Sequence, residues 1–120
     1  MRRGFDRTQR VAELIQKTLA MMLLQNVNDD RFRFITITDV TVSKDFSYAK
    51  VYVTVLTEEP DKIKEFVQAL NQEAKSFRRH LAREINLRVT PELKFIYDES
   101  AVRGFHISSL IDSAMKKSEA

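Results

Sequence analysis

A chain of 120 residues, 43% apolar and 31% charged, has room for one folded domain and a real core. Cysteine is absent, which excludes disulfides, thiol nucleophiles and thiolate metal sites together. A net charge of +3 with a pI near 9.3 says little in bulk, so any functional charge lies in its distribution.

Residues 7 to 25 carry Val11, Leu14, Ile15, Leu19, Met22 and Leu23 at helical spacing, with Arg10, Glu13, Lys17 and Gln25 on the opposite face. Asp6 and Gln9 fit a capping box at its start, and Asn26 to Asp30 reads as a turn-rich stop. Phe34 to Val42 is β-rich, but Ile35 and Ile37 fall in one phase and Val40 and Val42 in the other. That slip predicts a bulge near Thr38-Asp39. After a short turn at Ser43-Lys44-Asp45, Tyr48 to Leu56 alternates cleanly, with Ala49, Val51, Val53 and Val55 on one face. The two strands therefore form a hairpin.

Pro60 marks a helix start, since its missing N–H is not needed there. An apolar stripe then runs from Ile63 through Phe66, Val67, Leu70, Phe77 and Leu81 to Ile85, too long for an ordinary helix. Asn71 and Ser76 are weak helix formers, so two helices joined near Ala74 are expected. Leu87, Val89, Leu93, Phe95 and Tyr97 form a third strand interrupted by Pro91, at an edge or a bulge. Asp98 to Ser100 can cap a last helix with Phe105, Ile107, Leu110, Ile111, Ala114 and Met115 on its core face. The expected architecture is α+β: a three-stranded sheet with helices on one face. It is a single domain over residues 1–120, with flexible ends at about 1–5 and 117–120.

Charge changes sign inside the long helical stretch. Residues 56 to 73 hold two basic and five acidic side chains, and residues 74 to 90 hold five basic and one acidic. Lys75, Arg79 and Arg83 share a helical face with Arg78 beside it. Such a row suits a phosphate backbone, or it is a solvated helix face. Arg2, Arg3, Arg7 and Arg10 make either a second basic patch or a frayed, solubilising end, and Arg31 and Arg33 extend the same surface if it exists. Tyr48, Lys50 and Tyr52 stand together on one strand face, where they either stack bases or simply meet water. His80 lies among arginines and His106 opens the last helix, but no orienting acid or nucleophile accompanies either. Asp98-Glu99 suits a helix N-terminus. No acid–base set, phosphate loop or metal-ligand set is recognisable, so neither catalysis nor a cofactor is expected. The Arg-rich start leads into charged sequence rather than an apolar signal core. The longest apolar run, Leu19 to Leu24, is far below the ~20 residues that cross a bilayer; cytosol is the expected compartment and no membrane partner is expected.

The element order with a broken helix pair resembles the type II KH fold. Three blocks resemble the ribosome-binding factor A family of bacterial small-subunit assembly factors. These are Arg7-Thr8-Gln9-Arg10-Val11-Ala12, then Ser47-Tyr48-Ala49-Lys50-Val51-Tyr52-Val53-Thr54, then Leu87 to Asp98 with Glu99-Ser100 and Gly104. The resemblance covers about residues 4 to 112. Ordinary KH domains grip single strands with a Gly-x-x-Gly loop, which is missing here; the family is similar in lacking it and carries an Ala-x-Gly kink. In this chain the kink reads Ala74-Lys75-Ser76, with serine at the expected glycine. The resemblance implies binding to the 30S subunit and its 16S rRNA, help in late maturation and 5′-region processing, release aided by a GTPase, and a role in cold adaptation; the chain is expected to act as a monomer. A KH-like protein-interaction module with no direct RNA contact is the other reading.

Overall fold

The computed structural model describes residues 7–25 and 30–100. Helix α1 (Arg7–Gln25) is followed by a 3-10 turn (Asp30–Phe34), strand β1 (Ile35–Val42), strand β2 (Tyr48–Val55), helix α2 (Pro60–Gln72), helix α3 (Ala74–Glu84) and strand β3 (Glu92–Tyr97). The sheet order is β1-β2-β3. β1 and β2 are antiparallel, and the helix pair carries the chain across to lay β3 parallel to β2. This is the α+β, KH-like arrangement expected.

The bulge falls where the phase slip puts it. Ile37 pairs with Val53 and Asp39 with Tyr52, which leaves Thr38 as the extra residue. In an unbroken alternation through Thr38, Val40 would face outward; because of the bulge, Ile35, Ile37 and Val40 are all buried. They join Ala49, Val51, Val53, Val55, Leu93 and Phe95 on one face of the sheet, against Ala12, Ile15, Leu19 and Leu23 of α1 and Leu70, Phe77 and Leu81 of the helix pair. Phe77 sits between Phe32 and Phe95, with ring centroids 5.6 Å away on each side in tilted geometry. Phe32 is 1% exposed, so the 3-10 turn is a core element as well as a connector. Among the described residues no helix is long and apolar enough to cross a membrane.

The helix break lies at Glu73, one residue before the Ala74-Lys75-Ser76 patch. Its φ of −94° and ψ of 4° turn the chain while its N–H still donates to Ala69 O and Leu70 O. Its carbonyl then accepts from Phe77 N at 3.0 Å, so α3 begins at once. No left-handed residue takes part: among the described residues Phe46 alone of the non-glycines has positive φ. Ser76 lies inside α3, which is why a residue with a Cβ stands comfortably where glycine was expected.

Three expectations need correction. β3 starts only at Glu92, so Leu87 and Val89 belong to the approach; Pro91 is fully buried just ahead of the strand, and Val89 is 49% exposed. Leu14 faces outward at 44% exposure, and Ala12 takes its expected place in the core. Arg31 does not extend a basic surface but lies 3.6 Å from Glu65 of α2. The Asp6 cap, Arg2, Arg3 and the last helix lie outside the described residues.

Candidate nucleic-acid interface

β3 is an edge strand, and its free side faces the junction of α2 and α3. Asn71, in the last turn of α2, occupies that edge as a substitute strand. Its Oδ1 accepts from Phe95 N at 2.8 Å and its Nδ2 donates to Phe95 O at 3.0 Å. This satisfies one residue of the open ladder and fixes the helix pair against the sheet. Beside it opens a groove of about 480 Å³ lined by Asn71, Ala74, Lys75, Arg78, Arg79, Glu92 and Leu93.

Three of the four cations of the predicted row thus meet in one place. Lys75, Arg78 and Arg79 are exposed, and none is in an ion pair among the described residues. Arg78 is oriented: its Nε donates to Thr90 O at 3.0 Å, across the groove mouth. That leaves the terminal nitrogens of its guanidinium fork open to an acceptor. Glu92 is the acid on the groove wall. Lys75 lies in the first turn of α3. Arg83 follows Arg79 by one turn, exposed but outside the groove, in the last turn of α3 where the dipole favours a cation in any case.

The N-terminal arginines are placed differently. The Arg7 guanidinium lies 6.0 Å from the Phe46 ring centroid in the hairpin turn. Ser47 O in that turn accepts from Glu92 N, the first residue of β3, so Arg7 and the Arg78–Thr90 contact share one end of the sheet. Arg10 is exposed on α1, and Arg3 lies outside the described residues. His80 turns back on its own helix. Its Nδ1 lies 3.0 Å from Ser76 O, and since the carbonyl only accepts, Nδ1 carries the proton. Among the described residues no three His, Asp or Glu side chains converge as a metal cluster.

Asn71, Thr90, Glu92 and Leu93 were not singled out as site residues in the sequence. Asn71 had one visible signal, a poor helix former near the end of an apolar stripe. The others reach the site only because the crossover lays β3 beside α3.

A family model described as Ribosome-binding factor A matches residues 7–111. The ribosome-binding factor A of Shewanella sediminis is 44% identical over 120 residues, which is 100% of this chain and 84% of that one. That of Pseudomonas putida (strain GB-1) is 43% identical over 116 residues, covering 96% and 88%. The crystal structure of ribosome-binding factor A from Thermus thermophilus superposes with a TM-score of 0.65 at 28% identity, covering 75% of this chain and 94% of that one. Coordinates of the Thermus thermophilus factor fitted into a cryo-EM map of a 30S–RbfA complex superpose with a TM-score of 0.60 at 28% identity, covering 73% and 91%. A family match over most of the chain, relatives above two-fifths identity and the same fold in solved members agree: this chain belongs to the ribosome-binding factor A family.

Proposed function

We propose that this protein is a non-catalytic assembly factor of the cytosol. It binds the 30S subunit and its 16S rRNA and assists late maturation, including processing of the rRNA 5′ region. The observation that carries the reading is the convergence of Lys75, Arg78 and Arg79, without ion-pair partners among the described residues, on one groove. The related Thermus factor fitted into a 30S complex supports it. Phosphate is the ligand such a groove suits. Lys75 supplies a point charge and Arg78 a pre-oriented fork. Arg83 and Arg10 add longer-range attraction, and Arg7 marks the near end of the sheet. Binding of this kind is ionic and sequence-blind, so specificity comes from the shape of the assembling subunit. Release aided by a GTPase, and action as a monomer, complete the proposal.

The test is sucrose-gradient sedimentation with free 30S subunits, mature subunits and translating ribosomes. The wild-type chain is expected with free 30S, with a log–log salt slope of about −0.7 per single-strand phosphate neutralised. The triple variant Lys75→Glu, Arg79→Glu, Arg83→Glu is expected to stay at the top of the gradient with an unchanged circular dichroism spectrum. Continued co-sedimentation of that variant at moderate salt would remove the groove from the interface. Salt-insensitive capture by a protein, with no RNA bound, would favour the protein-interaction reading.

A further inference from the structure

The face of the sheet turned away from the helices carries a set of side chains unusual for a merely wetted surface, with Tyr52 half-buried on it. Tyr48 is 60% exposed. Lys50 and Lys94 are exposed and directly paired across β2 and β3, with Tyr48 opposite Glu92 and Tyr52 opposite Ile96. Strands in a ladder lie about 4.8 Å apart, so the two ammonium groups spring from adjacent backbones. Like charges directly opposite destabilise a sheet. Neither lysine has an ion-pair partner among the described residues to offset this.

A polyanion resolves the conflict, and the flanking rings indicate which kind. Tyr48 and Tyr52 sit on either side of Lys50 on one strand face, about 13 Å apart along β2 by strand rise. The backbone at Tyr48 is fixed by the hairpin turn. Its N–H donates to Ser43 Oγ at 3.1 Å, and Ser43 and Ser47 are both bound to the Asp45 carboxylate. Phe46, next in the turn, is held at φ 60° with Arg7 over its ring. Aromatic faces beside cations on a rigid sheet stack bases while the cations meet phosphates. The surface is also continuous with the groove: Glu92 lines the groove and stands on the same face of β3 as Lys94, two residues on.

We propose that this open face is a second contact for single-stranded RNA, with Tyr48 and Tyr52 stacking bases and Lys50 and Lys94 sharing the phosphates between them. The proposal rests on the RNA-binding reading of the groove and extends it around the β3 edge. A double helix cannot use the platform, because its bases are already stacked.

The test uses the full chain and fluorescein-labelled single-stranded ten-nucleotide oligoadenylate, with affinity read by anisotropy over a range of salt. Tyr48→Ala is expected to weaken binding about tenfold with the salt slope unchanged, and Tyr48→Phe to stay within about twofold. Lys50→Gln with Lys94→Gln is expected to lower the slope by about 1.4. Lys94→Gln alone should raise the melting temperature by about 1–4 °C while lowering affinity, because it relieves the repulsion between the lysines. Opposite signs in stability and affinity mark a residue kept for its ligand. If Tyr48→Ala binds like wild type while the α3 triple variant loses binding, the platform is overturned and the groove reading stands. If the wild-type chain sediments with 30S but ignores the oligonucleotide, the platform is likewise overturned. If it binds neither, both readings fall.

Discussion

Replacing Asn71 by alanine tests how the site is held together. The change deletes the bonds to Phe95 N at 2.8 Å and Phe95 O at 3.0 Å and leaves the apolar core untouched. A hydrogen bond of this kind contributes about 0.5–1.5 kcal/mol net. Both Phe95 groups lie on an edge that water can reach once the amide is gone, so the pair contributes about 1–2 kcal/mol. Alanine is the better helix former by about 0.6 kcal/mol, which offsets part of the loss. The expected net destabilisation is about 0.5–1.5 kcal/mol, or roughly 2–6 °C in melting temperature. Urea unfolding with an unchanged m value measures it, and hydrogen exchange at the Phe95 amide localises it. Asn71→Asp sharpens the test. A carboxylate can accept from Phe95 N but repels Phe95 O, so it should rescue little. Affinity for 30S should fall as well, since the groove wall loses its anchor between α2 and β3. An Asn71→Ala variant as stable as wild type, with the Phe95 amide still protected, would refute the edge-anchoring argument.

Two further outcomes are expected. Ser76→Gly, which restores the residue expected from the family kink, should cost about 0.5 kcal/mol because position 76 is helical. A gain in stability in thermal unfolding would mean that a left-handed residue is wanted there after all. In the hairpin turn, hydrogen bonds from Ser47 and then Ser43 lower the Asp45 pKa from 3.8 to about 2. A carboxylate lowered on folding stabilises the protein above its unfolded value and loses that contribution as pH falls. The Asp45 share is therefore intact above about pH 3.8 and lost as pH falls through about 2. Acid titration of Asp45→Asn should lack this part of the pH dependence while keeping that of the other carboxylates.

Much of the fold was legible because its signals are local. Alternation in Tyr48 to Val55 reports a half-buried strand whatever it pairs with, and the slip at Thr38-Asp39 locates the bulge because side-chain phase changes whenever one residue is inserted. The helix break was visible within one residue of its place at Glu73. Other positions misled for equally physical reasons. Val89 continues an alternating apolar pattern into β3, yet the chain approaching the strand has no ladder partner to impose that phase, and Val89 ends up exposed. Leu14 and Ala12 lie near opposite borders of the apolar arc of α1. Sequence favours the larger side chain, but the close approach of α1 to β1 and α3 selects the smaller.

The sequence alone determined the order of elements, the segregation of acid from base along the helix pair, and the cations that make a polyanion the expected ligand. These depend on neighbours a few residues apart. Only the tertiary structure decided which charges act together. Arg31 is drawn to Glu65 and leaves the basic surface, while Arg78 is aimed by Thr90 and the groove is closed by Asn71, Glu92 and Leu93. The open face likewise sets Lys50 beside Lys94, a juxtaposition created by the parallel crossover. Coulomb and hydrogen-bond energies depend on distance in space, and residues far apart in the chain become neighbours only once the sheet has formed.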